Sequence, residues 1–241
     1  MQASQTRTDL QANAGQLVLG IDTCGPTGSV ALGRLSGQGI ELGRDLEVLE
    51  QVELEGRSYS ATLVSAVAEL LARNKVTLRE LCAIVTVHGP GSFTGVRVGL
   101  SAVKGFAEPA EIPVVAVSRL AVLAMKGNVS AAALDAHRHE VYLRVATRGE
   151  TRELLAGAAE LSVIEPPQSL AVCDQAAADV LAAVWPGTDL VGTEAPTAAD
   201  AMRMSVPLIL AGELADLALM DGHYLRRSDA EIFGLPGAKR P

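Results

Sequence analysis

Apolar residues along this chain fall in short runs separated by turns rich in glycine and proline, and their spacing predicts the first elements. The pattern predicts strands over residues 17–22, 29–34 and 40–46, joined by connections too short to hold a helix. Strands joined in this way pair antiparallel, so the chain is predicted to open with a meander. A dinucleotide-binding domain would instead place a helix after the first strand.

Helical periodicity begins at Ser58, a candidate N-cap, and continues to residue 73. Leu63, Val67 and Leu70 recur at the helical period and form the predicted core face, with Val64 and Leu71 beside it. A separate face of this helix carries only small residues at intervals of three and four. Its residues are Ala61, Ser65, Ala68 and Ala72.

A glycine-rich turn connects a second predicted strand–helix pair. Residues 82–87 are apolar and β-branched, and residues 96–106 have helical composition. Backbone amides at such a turn, next to a helix N-terminus, suit an anion, but the turn could equally serve only to reverse the chain. The turn is not a Walker A loop, because Gly95 is followed by Val96 and Arg97. The turn is not a dinucleotide fingerprint either, because Gly89, Gly91 and Gly95 are spaced one residue too far apart for G-x-G-x-x-G.

The second helix also carries small residues on one face. Gly95, Gly99 and Ala102 recur at helical intervals, and Ser92 or Thr94 is the predicted N-cap. Glycine inside a helix costs about 1 kcal/mol relative to alanine, so close approach of another helix is expected to offset that cost. The two flat faces either pack on each other or form a surface for a helical partner, and the sequence leaves both interpretations open.

The second half of the chain repeats one feature of the first. Asp22 and Asp135 each end a predicted strand next to a tight turn, which hints at two related lobes. The other predicted elements are strands over residues 113–117, 129–135, 140–147, 153–155, 160–163 and 170–173, and helices over 119–125 (capped by Ser118), 175–183 and 197–220, the last interrupted by Pro207.

Composition narrows the class of protein. The net charge is −8 without any lysine or arginine run, which argues against a surface that grips nucleic acid unaided. No apolar run reaches the ~20 residues of a membrane span. Residues 1–15 are polar and are predicted to be a disordered extension, not a secretory signal. Cys24, Cys82 and Cys173 lie far apart, as expected of reduced thiols in a cytosolic protein.

Candidate chemistry is sparse. Asp22 and Asp135 could hold a metal-bound water or orient a nucleotide phosphate, although carboxylates at strand ends also cap turns. His137 and His139, beside Glu140, would share one face of a strand and could bind a metal, but no third ligand of matching spacing is present. No nucleophile, base and acid can be assembled, so neither a catalytic residue nor a metal is predicted. The predicted anion or nucleotide contacts are Asp22, Thr23, Gly89, Gly91, Ser92 and Asp135.

Five sequence blocks in order give the chain a family likeness. They are IDTCGPTGSVAL, GPGSFTGVRVGLSAVKGFA, VSRLAVLA, DAHRHEVY and YLRRSDAE, at residues 21–32, 89–107, 117–124, 135–142 and 224–231. Together they resemble the TsaB (YeaZ) family of the actin-like, sugar-kinase and Hsp70 ATPase superfamily. The likeness covers residues 17–145 and the tail. The glycine motif with its following helix is specific.

The resemblance implies an α/β fold of two ribonuclease-H-like lobes with mixed sheets flanked by helices. We therefore expect a disordered extension over residues 1–15, a first lobe with the partner-binding helices over 16–112, and a second lobe with the tail over 113–241. Members often have a histidine near the start of the first helix. Here that region is Arg-Ser-Tyr-Ser at residues 57–60, so a role for that histidine does not transfer.

The resemblance also implies a function. TsaB is a non-catalytic subunit that pairs with the related TsaD, joined by TsaE, in threonylcarbamoylation of adenosine 37 of tRNAs reading ANN codons. It implies a cytoplasmic protein that meets tRNA only through the complex and self-associates as a dimer, with no cofactor of its own unless ATP or ADP lies at the complex interface. Transferred to this sequence, the partner interface is Ala61, Val64, Ser65, Ala68 and Ala72 of the first helix with Gly95, Val96, Gly99 and Ala102 of the second.

Two alternatives stay open at this point. The family has been labelled a peptidase M22-like glycoprotease, so the chain could be an enzyme in its own right, and it could also be a nucleotide-binding regulator without turnover. The related catalytic subunit binds metal through an H-x-x-x-H pair on a helix. None of the four histidines of this chain are spaced four apart, which favours the non-catalytic interpretation.

Overall fold

The computed structural model describes residues 16–35, 46–55, 58–147 and 149–226. The predicted extension over 1–15 and most of the predicted strand over 40–46 lie outside these ranges. The first sheet has five strands in the order β3-β2-β1-β4-β5. They are β1 (Leu17–Asp22), β2 (Thr27–Leu35), β3 (Leu46–Glu55), β4 (Leu81–Val87) and β5 (Val114–Val117).

The second sheet repeats this arrangement. Its strands are β6 (Ala132–Asp135), β7 (Val141–Thr147), β8 (Glu150–Ala156), β9 (Ser169–Val172) and β10 (Asp189–Gly192), in the order β10-β9-β6-β7-β8. In each sheet the first three strands pair antiparallel in sequence order. The fourth strand then pairs in parallel with the first, and the fifth pairs in parallel with the fourth. The prediction of an α/β fold with two related mixed sheets is therefore confirmed.

Helices flank both sheets. They are α1 (Tyr59–Arg73), α2 (Phe93–Ala110), α3 (Arg119–Lys126), α4 (Ala158–Leu161), α5 (Gln175–Val184) and α6 (Ala198–Ala211). Gly28 of β2 lies against Tyr59 of α1, whereas the adjacent Ser29 accepts a hydrogen bond from Ala198 N of α6 at 2.8 Å. Because neighbouring strand residues point to opposite sides, α1 and α6 cover opposite faces of the first sheet.

The two lobes are interlocked rather than strung one after the other. We define the first lobe as the first sheet with α1, α2 and α6, and the second lobe as the second sheet with α3, α4 and α5. Helix α6 follows β10 yet packs across the first sheet, and α3 follows β5 yet packs on β6, β7 and β9. Lys126 of α3 joins Asp200 of α6 at 3.0 Å. The predicted division between residues 112 and 113 thus does not coincide with the division between the sheets, since β5 and α6 both belong with the first.

Two predicted elements differ in the structure. Residues 160–163 were expected to form a strand, but they include the end of α4, whose first turn is closed by Glu160 accepting from Gly157 N at 3.0 Å. The predicted helix over 197–220 ends at Ala211, because Gly212 adopts a left-handed conformation with φ 69°. None of the helices in the described ranges is long and apolar enough to cross a membrane.

Candidate functional site

A cleft of about 860 Å³ lies where the turns after β1 and β6 face each other. The first lobe contributes residues 24–26 and 90–93, and the second contributes residues 134–138 and 173–174. Arg119, at the start of α3, lies on its wall. The repeated sheet topology therefore places the equivalent turn of each lobe on opposite sides of one cavity. Ligand pockets commonly lie at such junctions between lobes.

The two aspartates suggested as ligand contacts close equivalent turns. Oδ1 of Asp22 accepts from Cys24 N, and Oδ1 of Asp135 accepts from His137 N, both at 2.8 Å. Both carboxylates therefore cap a turn by accepting from the backbone amide two residues ahead, which is the structural role that carboxylates at strand ends often have. Asp135 lines the cleft, whereas Asp22 is completely buried and does not.

The buried Asp22 faces a buried cation. Nε of Arg119 lies 3.6 Å from Oδ2 of Asp22, which is an ion pair without a hydrogen bond. Burial raises the pKa of Asp22, while the charge of Arg119 acts in the opposite direction. Sequence reasoning missed Arg119 as a site residue. A signal existed, because an arginine in the first turn of a helix opposes the helix dipole and needs a reason to be there.

The glycines of the second helix do not form a partner surface. Gly95, Val96 and Gly99 are buried, and a Cβ added at Gly95 would lie 2.0 Å from the Thr23 carbonyl oxygen. A Cβ at Gly99 would lie 2.2 Å from Thr23 Oγ1. The flat face lets α2 approach the turn after β1, so these three residues are removed from the predicted interface. Ala102 of the same set is half-buried.

The glycine turn before α2 is also used mainly for packing. A Cβ at Gly91 would lie 2.2 Å from the Cys24 carbonyl oxygen, and that oxygen accepts from Ser92 N at 2.8 Å. Thr23 is buried and donates its hydroxyl proton to Gly95 O at 2.7 Å. Gly91 and Ser92 still line the cleft, whereas Gly89 lies against His223. Ser92 caps α2 by accepting from Gly95 N, as predicted.

A short segment near the end of the described chain, residues 221–226, bridges both lobes beside the cleft. On the first lobe, His223 N donates to His88 O at 2.7 Å. On the second, His223 Nε2 lies 2.8 Å from a carboxylate oxygen of Glu153. The ring of Tyr224 packs against that of Phe93 at an interplanar angle of 45°, with 4.9 Å between the ring centroids. Arg226 Nη2 donates to Ala136 O at 2.7 Å. We call residues 221–226 the bridging segment.

The histidines near the cleft do not assemble a metal site. Nδ1 of His137 lies 2.8 Å from Oδ2 of Asp135, so the carboxylate of Asp135 is already engaged within its own turn. His137, Arg138 and His139 all have positive φ, so the three residues do not form the strand that would place both histidines on one face. In the described ranges, no group of three or more histidine, cysteine, aspartate or glutamate side chains could hold a metal ion.

A second candidate surface lies on the outside of the first lobe. The core face of α1 is buried as predicted, through Leu63, Val67 and Leu70. The opposite face is exposed, and its valine is 58% accessible. At 100° per residue, five exposed residues span about 100° of the helix circumference. They are Ala61, Val64, Ser65, Ala68 and Ala72, and we call them the outer face of α1.

Comparisons with known proteins place this fold in a family. The family model described as TsaD, tRNA N6-adenosine threonylcarbamoyltransferase, matches residues 48–179, more than half of the chain. A Haemophilus influenzae protein named tRNA threonylcarbamoyladenosine biosynthesis protein TsaB is 36% identical over 107 residues, 42% of this chain and 45% of that protein. The Escherichia coli protein of the same name is 34% identical over 131 residues, 52% of each chain.

A solved structure agrees with these relatives. The chain is similar to YeaZ from Pseudomonas aeruginosa with a TM-score of 0.66 and 26% identity, over 87% of this chain and 100% of that one. The sequence matches span about half the length of the curated relatives. The resemblance to TsaB and YeaZ noted from the sequence blocks is confirmed. More than half of this chain matches one family model, and on that ground the protein belongs to the TsaD family of tRNA N6-adenosine threonylcarbamoyltransferases.

Proposed function

We propose that this chain is the non-catalytic, partner-binding subunit of a complex that threonylcarbamoylates adenosine 37 of tRNAs reading ANN codons. In this proposal it pairs with TsaD, TsaE joins the pair, and tRNA is reached only through the complex. The names of its relatives support the pathway, since they are called tRNA threonylcarbamoyladenosine biosynthesis proteins. The chain would act in the cytoplasm, where tRNA is modified.

The observation that carries the proposal is the outer face of α1. Four of its five residues are alanine or serine, so a partner helix could approach this face closely. The valine among them exposes apolar area that water disfavours and a partner would cover. Polar residues lie at one end, where Arg73 of α1 pairs with Glu50 of β3 at 2.8 Å. An apolar centre beside a polar rim is typical of protein interfaces.

The proposal is tested by reconstitution. Purified TsaD, TsaE and a threonylcarbamoyl-adenylate source are mixed with unmodified tRNA, with and without this chain, and the modified nucleoside is quantified by mass spectrometry. Modification is expected only when the chain is present. Equal modification in its absence would contradict the proposal.

The same face could also bind a second copy of this chain. Native mass spectrometry of the chain alone, and then with TsaD added, distinguishes the two occupants. We expect any homodimer to dissociate as the heteromer forms, because both would bury the outer face of α1. The partner-binding role requires no cofactor within this chain and leaves ATP or ADP to the interface of the complex. A homodimer that persists inside the complex would place TsaD on another surface.

A further inference from the structure

The bridging segment has an apolar anchor near each end, one in each lobe. Directly before the segment, Met220 is 8% exposed and packs in the core of the first lobe. Near its other end, Leu225 packs against a cluster of the second lobe that includes Leu123 of α3 and Leu134 of β6. Four residues separate the two anchors, so the chain between them can span no more than about 18 Å. The lobes are therefore joined here by a tether of limited length.

One carboxylate of the second lobe holds the middle of this tether. Glu153 of β8 lies 2.8 Å from His223 Nε2, and it accepts from Ser118 Oγ at 2.6 Å and from Arg144 Nη1 at 2.7 Å. Ser118 is the residue at which the chain crosses from β5 to α3. Glu153 therefore connects the bridging segment to the second sheet and to one of the two chain crossings between the lobes.

On the first lobe, the segment is held by its backbone and by an aromatic contact. His223 N donates to His88 O at 2.7 Å. The ring of Tyr224 packs against that of Phe93 of α2, with 4.9 Å between the centroids. These contacts continue directly from the buried Met220, so this end of the segment is fixed to the core of the first lobe.

On the second lobe, the segment is held by side chains that water can reach. The side chain of His223 is 32% exposed where it meets Glu153, and that of Arg226 is 23% exposed where it pairs with Glu140. Leu225 is half-buried. Partly exposed side-chain contacts are weaker than a backbone hydrogen bond beside a buried core, so the second-lobe end should separate first.

We propose that the bridging segment acts as a strap that sets the width of the cleft, and that its release from the second lobe lets the lobes move apart. Tyr224, Leu225 and Arg226 all line the cleft, so the segment runs along the cavity whose width it limits. After release, the lobes would stay joined by the β5–α3 and β10–α6 connections, which would act as hinges. None of these contacts involves the outer face of α1, so the inference does not depend on the partner-binding role.

The three cysteines of the chain can report on this motion. Cys24 is 1% exposed and lines the cleft on the first lobe. Cys173 lines the cleft on the second lobe, where it packs against the same cluster as Leu225. Burial raises the pKa of the Cys24 thiol well above its usual range, so this thiol should react slowly while the cleft stays closed. The half-buried Cys82 of β4 is not part of the cleft lining and reports on general unfolding.

The test is alkylation of the full chain by N-ethylmaleimide at constant pH, with the rate at each cysteine resolved by mass spectrometry of its peptide. The double variant Leu225→Ser/Arg226→Gln removes the apolar anchor and the ion pair on the second lobe. We expect Cys24 and Cys173 to react faster by about tenfold or more relative to Cys82, because the reaction of a buried group follows the population of the open state.

Two further variants separate the strap from a loss of stability. Arg73→Gln removes an ion pair with Glu50 that lies within the first lobe, and it should leave all three rates unchanged. Insertion of two glycines between Gly222 and His223 keeps every side chain of the segment but adds up to about 7 Å of chain. Alkylation of Cys24 should again be faster than in the unchanged protein.

Rates relative to Cys82 decide the outcome, because unfolding of the whole chain would expose that thiol as well. An unchanged relative rate at Cys24 in either strap variant would overturn the proposal. Faster reaction of Cys173 alone would also overturn it, because the segment would then shield the second lobe without holding the two lobes together.

Discussion

The sheets of the two lobes have the same strand order, but the lobes differ in the helix that joins the third and fourth strands. In the first lobe this connection is α1, with 15 residues and an exposed face of small side chains. In the second lobe it is α4, with four residues. The two equivalent sheets build the cleft together, whereas the outer face of α1 has no counterpart in the second lobe. A partner-binding role is thus expected to depend on the part of the first lobe that the second lobe lacks.

The comparison also separates two kinds of small residue in the first lobe. Those of α2 are buried against the turn after β1, and those of α1 are exposed. Similar spacing in the sequence therefore serves packing in one helix and leaves a free surface on the other. Substitutions in α1, in α2 and in the second lobe distinguish these roles, because their expected effects on stability range from about 3 kcal/mol to about 0.5 kcal/mol.

Gly95→Ala should destabilise the protein by about 3 kcal/mol. The added methyl would lie 2.0 Å from a backbone oxygen of Thr23, so α2 would have to move away from the turn after β1. Urea unfolding followed by circular dichroism measures the change. Gly105→Ala, the same change on the same helix with nothing within 4 Å, should stabilise by up to about 1 kcal/mol. Equal effects at both positions would show that the glycines do not serve packing.

Trp185→Phe should destabilise the second lobe by about 2 kcal/mol. The indole Nε1, at the residue that follows α5, donates to Leu161 O of α4 at 3.0 Å in a buried contact. Phenylalanine removes this bond and part of the buried ring, and it leaves the carbonyl with only the longer hydrogen bond from Ile164 N at 3.3 Å. Because this is the sole tryptophan, unfolding is followed by far-UV circular dichroism rather than fluorescence. Binding to TsaD by the folded variant should not change. A weaker complex would mean that the second lobe takes part in the interface.

Glu153→Gln should reduce the loss of stability in acid. Burial alone would raise the pKa of Glu153, but hydrogen bonds from His223, Ser118 and Arg144 lower it below the ordinary 4.5. A carboxylate whose pKa is lowered on folding stabilises fully above its unfolded pKa, and this contribution is lost as pH falls through the folded pKa. Thermal unfolding at pH values from neutral to below 4.5 measures it. If the stability of both proteins falls equally as the pH is lowered, the Glu153 carboxylate does not stabilise the junction between the lobes.

Ala68→Arg should change the free energy of unfolding by no more than about 0.5 kcal/mol. The side chain is exposed on the outer face of α1, and arginine is a good helix former. Urea unfolding of this variant is compared with that of Ala183→Arg, an exposed position on α5. A loss of several kcal/mol at Ala68 would show that the face is packed and unavailable to a partner.

Much of the fold could be predicted because strand runs and helix caps are local signals. The predicted cap at Ser118 and one of the two candidates for α2, Ser92, accept cap hydrogen bonds in the structure. The candidate Ser58 occupies the N-cap position of α1, but its side chain makes no cap hydrogen bond. Strand β3 was missed beyond residue 46 because glutamates interrupt its apolar alternation, and Leu49 falls at an irregularity where the register with β2 shifts. Edge strands often carry charged side chains that prevent pairing with another chain, so a search for apolar alternation does not detect them.

The contents of the site could be predicted only in part. The equivalence of Asp22 and Asp135 followed from their positions at strand ends, and both close the same turn in the structure. The sequence could not show what lies opposite the α2 glycines, because Thr23 is distant in the chain and meets them only after folding. The position of Arg119 in the first turn of a helix was a signal, but its partner Asp22 could not be inferred, since it lies almost a hundred residues earlier.

The most direct test of the partner-binding claim is the Kd of this chain for TsaD, measured by calorimetry for the unchanged protein, Ala68→Arg and Ala183→Arg. If the outer face of α1 is the interface, an arginine at its centre should raise the Kd by about 30-fold or more, while the same substitution on α5 leaves it unchanged. An unchanged Kd for Ala68→Arg, in a variant shown to be folded, would contradict the account.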